Sequence, residues 1–134
     1  MPIADNYFDT IISTECFEHD PEYKQSFLKI YKMLKPNGIF VFTCASTGRP
    51  EHSTRKSKPQ QSYGTINDIE DMRDYYTNLT VHDLNDVFPL GNLFVLWKSY
   101  YNSYSKDLYF VGIEKVIVKC SYYNIQIFNI LKHM

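Results

Sequence analysis

Phe8-Asp9-Thr10-Ile11-Ile12-Ser13 opens the stretch that decides the fold, and Ile39-Phe40-Val41-Phe42-Thr43-Cys44 closes it. Both are short apolar runs of the kind that form buried strands. Between them stand an acidic, His-containing segment, Glu15-Cys16-Phe17-Glu18-His19-Asp20-Pro21, and a run with helical periodicity. Tyr23, Phe27, Ile30, Tyr31 and Leu34 share one helical face, and Leu28 falls off it. Asp20 suits a helix cap and Pro21 the first helical position. Pro36 disfavours helical backbone at Lys35, and Asn37-Gly38 supply turn residues that accept left-handed φ. The order is strand, helix, strand, and a right-handed crossover makes the two strands parallel. In open α/β sheets, ligands sit beyond the carboxyl ends of the strands. The polar cluster from Ser13 to His19 therefore stands where a site belongs.

Working outward, residues 46–66 have no hydrophobic period, and Arg49, Arg55, Lys56 and Lys58 against Glu51 make them locally basic. Such a long stretch is either a solvated loop or one that covers a ligand, an anionic one if the basic side chains face it. Asn67 to Tyr76 reads as a short helix with Ile69, Met72 and Tyr76 on one side. The next helix is marked by Thr80 and Asp83, spaced as a capping box, with Leu79 and Leu84 at the staple positions. Pro89 and Gly91 end it. Leu93 to Tyr101 and Asp107 to Val118 are rich in Val, Ile, Phe, Tyr and Trp, and the polar residues between them suit an antiparallel hairpin. Residues 121–134 are apolar and weakly helical, a C-terminal extension to a domain expected over residues 1–120.

A chain of 134 residues fits one domain with a real core. The formal net charge of −1 argues against a polyanion-binding role, so nucleic acid is not the expected partner. Cys16, Cys44 and Cys120 are odd in number and widely spaced, with no CxxC pair. Neither a disulfide framework nor a metal site follows from them, and a reducing, cytoplasmic setting is expected. The N-terminus has no basic start with an apolar core, and no apolar run reaches the length of a membrane span. Twelve Tyr and nine Phe suit half-buried strand faces, where the tyrosine hydroxyl stays wet.

These features together resemble the second half of class I S-adenosylmethionine-dependent methyltransferases, in particular their small, broadly distributed methyltransferase domain. Residues 2–13, PIADNYFDTIIS, look like the family's lead into its fourth strand. Residues 15–19, ECFEH, match the loop after that strand, and residues 27–46, FLKIYKMLKPNGIFVFTCAS, match the helix, the turn and the fifth strand. Asn37 stands where the family usually has glycine. The closing hairpin is similar to the family's sixth and seventh strands, the seventh antiparallel. The fold class implied is a partial Rossmann-like α/β domain, with parallel strands and a crossover helix followed by an antiparallel hairpin.

The family holds its cofactor mainly with the first half of the fold, through a Gly-rich turn and acidic residues after the first three strands. This sequence has no glycine before Gly38. The resemblance thus implies a methyltransferase domain met partway through, either truncated or split, with weak or no activity alone. Strand Phe8 to Ser13 would lack its family neighbour and offer an unpaired edge, which invites self-association or a complementing chain.

The resemblance carries chemistry onto particular residues. The loop after the fourth strand runs beside the reactive methyl group, which places Ser13, Cys16 and Phe17 towards the cofactor and Glu15, Glu18 and His19 towards catalysis. Methyl transfer needs alignment of donor and acceptor, and a base only where the acceptor must lose a proton. His19 has the intrinsic pKa for that, and Glu15 or Glu18 could orient the acceptor or His19 itself. A histidine near a helix start is also commonly bonded to local backbone, and Cys16 equally reads as a small packing group. Arg49, Glu51 and His52 follow the fifth strand at the same sheet edge and are the expected acceptor contacts, with Tyr75, Tyr76 and Asn78 behind them. The functions implied are methyl transfer from S-adenosylmethionine to a small polar acceptor or, alternatively, a non-catalytic module that pairs through its open edge.

Overall fold

The computed structural model describes residues 3–116. Four strands form one sheet in the order β1-β2-β4-β3. They are β1 (Phe8–Thr14), β2 (Leu34–Ala45), β3 (Phe94–Asn102) and β4 (Asp107–Glu114). Strand β1 runs parallel to β2 through the crossover helix α1 (Tyr23–Met33), and β4 pairs antiparallel with both β2 and β3. The parallel pair and the closing hairpin are as the sequence implied. Three further helices, α2 (Tyr63–Ile66), α3 (Val81–Val87) and α4 (Leu90–Leu93), occupy the connection between β2 and β3.

The core lies on one face of the sheet, where alternate residues meet the helices. Phe40, Phe42 and Cys44 of β2 and Leu108 and Phe110 of β4 point to that side, together with Phe27 of α1 and Leu84 of α3. Phe42 stacks on Phe110 at a centroid distance of 5.0 Å, and Phe27 stacks on Phe88 at 6.1 Å. Each buried ring contributes roughly 1.5–3 kcal/mol of transfer free energy. Gly112 leaves room for this packing, because a Cβ there would lie 2.6 Å from Phe94 Cδ1. The opposite face carries Ile12, Ile39, Leu96, Tyr100, Tyr109 and Val111, all exposed among the described residues.

Several elements depart from the sequence reading for local reasons. None of the residues of β1 is buried, and Ile12 is 67% exposed. The run was expected to be a buried strand; it is instead an edge strand whose one partner among the described residues is β2. Strand β2 begins at Leu34, before the expected turn, because Leu34 pairs with Phe8 and the pairing resumes at Thr10 and Ile39. Lys35-Pro36-Asn37-Gly38 is therefore a bulge within the pairing, with Asn37 at a left-handed φ of 62°. Helix α1 starts two residues beyond Pro21. Its N-cap is Glu22, with no side-chain cap bond, and not Asp20 as expected; the Asp20 carboxylate instead accepts from the Glu22 amide at 2.8 Å and from the Ser26 hydroxyl. Leu28, off the predicted stripe, is buried as well.

The helix expected over 67–76 is a series of turns, since Asp68 and Asp74 adopt φ of 52° and 61°, which no α-helix accommodates. Residues 46–66 are not a free loop. Ser53, Thr54, Ser62 and Thr65 are buried, and Thr65 Oγ1 donates to the Ser53 carbonyl at 2.7 Å. The capping box of α3 forms in both directions between Thr80 and Asp83, and Leu79 and Leu84 are buried as a staple requires. Strand β4 ends at Glu114, with Lys115 and Val116 outside it, while the last part of the expected strand, residues 117–118, and the C-terminal extension 121–134 lie outside the described residues. No helix among the described residues is long and apolar enough to cross a membrane.

Candidate functional site

The site is built at the carboxyl ends of β1 and β2. Glu15 extends the ladder by one step, its amide donating to the Thr43 carbonyl at 2.9 Å, and then turns at a left-handed φ of 51°. Its carboxylate accepts from Thr43 Oγ1 at 2.8 Å. A short 3-10 turn over Phe17–His19 follows, anchored by Phe17, whose ring meets Phe42 edge-on at 5.1 Å. That anchor buries the two residues after it: Glu18 is fully buried and His19 nearly so.

Glu18 reaches across to β2, where Oε1 accepts the Ala45 amide at 3.1 Å; Oε2 has no partner. Its own carbonyl accepts from the Thr77 amide at 2.9 Å, and Leu79 donates to the Ala45 carbonyl. The segment Thr77–Leu79 is thereby laid over the end of β2, bringing Tyr76 beside His19. The rings of His19, His52 and Tyr76 form a triangle with centroid separations of 5.0, 4.9 and 5.7 Å. The Tyr76 hydroxyl donates to Asn78 Oδ1 at 2.8 Å, and Asn78 Nδ2 donates to the Arg49 carbonyl, which fixes the loop that carries His52.

Burial governs the charges. It raises the Glu18 carboxyl to about 7, with the negative charge of Glu15 adding and the Ala45 amide opposing. Burial lowers the pKa of His19, as does the charge of His52. The Tyr76 hydroxyl is pushed up to about 12 by burial, and burial pushes the Cys44 thiol up as well. The neutral forms of Glu18, His19 and Tyr76 are thus favoured.

The predicted site residues separate into groups. Glu15, Glu18, His19 and His52 come together, and Tyr76 and Asn78, the weakest candidates in the sequence, join them. Ser13 is half-buried on β1, and Cys16 is exposed with its thiol on the Thr14 carbonyl at 3.1 Å. Phe17 is part of the aromatic core. Arg49 is held by the β3–β4 hairpin, donating to the Ser105 carbonyl at 2.6 Å and to Asp107 at 2.8 Å. Glu51 accepts from Thr54 Oγ1 at 2.7 Å. A separate pocket of about 280 Å³ is lined by Ser46, Thr47, His82, Ser99 and Tyr101 among others, which no sequence motif signalled. Cysteine spacing gave no reason to expect metal ligands. The fold nevertheless gathers Glu18, His19 and His52, a donor set that uses no cysteine.

Comparison with known proteins places this site in context. Residues 1–42 match the family model described as Methyltransferase domain. A stretch of 51 residues is 39% identical to phosphoethanolamine N-methyltransferase 2 of Caenorhabditis elegans, covering 38% of this chain and 12% of that one. Among solved structures, the phosphoethanolamine N-methyltransferase 2 of Haemonchus contortus with phosphomonomethylethanolamine and S-adenosylhomocysteine is similar at a TM-score of 0.52 and 13% identity, over 84% of this chain and 35% of that one. The Haloferax volcanii complex of the Trm112 methyltransferase activator with a methyltransferase is similar at a TM-score of 0.51 and 15% identity, over 86% of this chain and 57% of that one. The likeness to these structures is one of fold. The family match is confined to residues 1–42, which are similar to a methyltransferase domain. The chain spans 12% of the length of the curated relative it matches.

Proposed function

We propose that this chain acts in S-adenosylmethionine-dependent methyl transfer to a small polar acceptor, with the Glu15–His19 loop forming the acceptor side of the site. The observation that carries the reading is the cluster of buried Glu18 and His19 with half-buried His52 and Tyr76 at the carboxyl end of β1, of which Glu18 and His19 lie within the family match. The relatives solved with S-adenosylhomocysteine or S-adenosylmethionine bound support the cofactor. The fit is partial. Ser13 and Cys16 would form one wall of a cofactor site, whereas Phe17 is committed to the core. Low cofactor affinity follows for the chain by itself. Bound, the cofactor would supply an electrophilic methyl group.

The residues present do the rest. His19 Nδ1, which has no partner, is the atom available to take a proton from an acceptor hydroxyl or amine. Glu15 and Glu18 orient that acceptor, and His52 and Tyr76 close the cluster against water. Arg49 and Glu51 shape the loop that carries His52.

The test is a titration of the isotopically labelled chain with S-adenosylmethionine followed by amide NMR. Millimolar-range binding with shifts centred on Ser13 to His19 is expected. No shift at any accessible concentration overturns the methyl-transfer reading, and micromolar affinity overturns the claim of a partial site.

A second reading is favoured by one observation, the open edge of β1 with Ile12 exposed beside it. In this reading the chain is an interaction module that pairs through Phe8–Ser13 with a complementing chain or a second copy. Dynamic light scattering separates a monomer at all concentrations, which removes this reading, from a concentration-dependent species, which supports it.

A further inference from the structure

We propose that Glu18, His19 and His52 form a binding site for one divalent transition-metal cation. Each of the three offers a ligand atom, and these atoms lie within 4.8 Å of one another. The second observation is independent of that spacing. Glu18 Oε2 and His19 Nδ1 are buried without a hydrogen-bond partner, and a buried polar atom left so costs about 1–3 kcal/mol. One cation between them satisfies both.

The outer contacts fit the same reading. Glu18 uses Oε1 on the Ala45 amide, at 3.1 Å, and leaves Oε2. His19 leaves Nδ1 without a partner. His52 places Nδ1 against the Pro50 carbonyl at 3.1 Å and leaves Nε2. Glu18 and His52 thus each have one atom held by backbone and a second left over, the arrangement by which metal ligands are oriented from outside. Glu15, whose charge reaches Glu18, adds negative potential at the same place.

The donor set selects the class of ion. Two imidazoles and a carboxylate suit Mn²⁺, Fe²⁺, Co²⁺ or Zn²⁺, whereas Mg²⁺ and Ca²⁺ prefer all-oxygen shells. Bonds of about 2.0–2.2 Å put the ligand atoms of a tetrahedral ion roughly 3.4 Å apart. The cluster must close by an ångström or so, and His52, half-buried on a loop, can supply that movement. Three protein ligands leave at least one coordination position for an oxygen of another molecule.

Cation binding does not depend on methyl transfer. Its consequence for catalysis does rest on that reading: with Nδ1 on the ion, His19 is a ligand and not a base, and the ion itself acidifies a coordinated acceptor hydroxyl.

The test is calorimetric titration of the metal-free chain with Mn²⁺, Co²⁺ and Zn²⁺, with Mg²⁺ and Ca²⁺ as comparators, and visible absorption of the Co²⁺ form. One equivalent of Co²⁺ or Zn²⁺ and a Co²⁺ ligand-field band are expected. His19→Ala and His52→Ala should each weaken binding at least about tenfold, and His82→Ala should not. His52→Ala keeps the test decisive if the buried positions do not tolerate change, since its fold is checked by circular dichroism first. Failure of all three ions to bind overturns the proposal, as does unchanged affinity in folded His52→Ala. Ion binding without any cofactor shift in the NMR titration retains the cation site and removes methyl transfer; the converse removes the cation site alone.

Discussion

Glu18 Oε1 accepts the Ala45 amide at 3.1 Å, which joins the loop after β1 to the last residue of β2. Two parallel strands are thereby locked at the end where the candidate site opens. The same bond holds a carboxyl in the interior with its other oxygen unpartnered. A residue that served stability alone would be better replaced by a neutral or fully bonded group.

Substitution separates the two roles of Glu18. Glu18→Gln keeps an acceptor for Ala45 and should change stability by less than about 1 kcal/mol. Glu18→Ala strands the amide and opens a void, and should cost roughly 2–3 kcal/mol in urea unfolding. Equal losses in the two variants would show that the carboxylate charge, and not the bond to Ala45, holds the loop.

Phe17 lies among Phe27, Phe40 and Phe42, with centroids at 6.3, 6.2 and 5.1 Å. Phe17→Ala should destabilise the chain by about 3–5 kcal/mol, and Phe17→Leu should recover most of that loss. A mild effect of the alanine variant on the denaturant midpoint would return Phe17 to the surface of a binding site.

The capping box predicts a smaller effect. Thr80→Ala removes the acceptor for the Asp83 amide and should lower stability by about 1 kcal/mol, read as a shift of the urea midpoint at constant slope.

Ile12 stands 67% exposed on the edge strand. A charge there blunts the edge without touching the core. Ile12→Lys should leave the unfolding midpoint nearly unchanged and reduce any concentration-dependent mass in sedimentation. An unchanged association would place the contact elsewhere.

Arg55 lies 2.6 Å from Asp74, and its hydrogen bonds and charge hold the Asp74 carboxyl below its ordinary 3.8. A depressed carboxylate contributes stability that is present above the unfolded value and is lost as pH falls through the folded one. Asn tolerates the left-handed φ of 61° at this position, so Asp74→Asn is a clean comparison. Unfolding midpoints of the two proteins should diverge at neutral pH and converge below pH 3.8. Parallel curves down to acid would mean that solvent screens the pair completely.

The sequence by itself determined the local frame. Apolar runs at 8–13 and 39–44, the stripe through Phe27, Ile30 and Tyr31 and the Thr80–Asp83 box each state their structure within a few residues, because backbone hydrogen bonding and helical periodicity are short-range. It also indicated the polar loop from Glu15 to His19, since ligands gather at the carboxyl ends of parallel strands. The tertiary structure decided the rest. It put β1 at the edge, turned Lys35–Gly38 into a bulge and broke residues 67–76 into turns at Asp68 and Asp74. It took Phe17 into the core, committed Arg49 to Asp107, and brought His52 and Tyr76 to His19. Those outcomes depend on residues 33 and 57 positions from His19 along the chain, whose approach only packing and the Thr77–Leu79 backbone bonds specify.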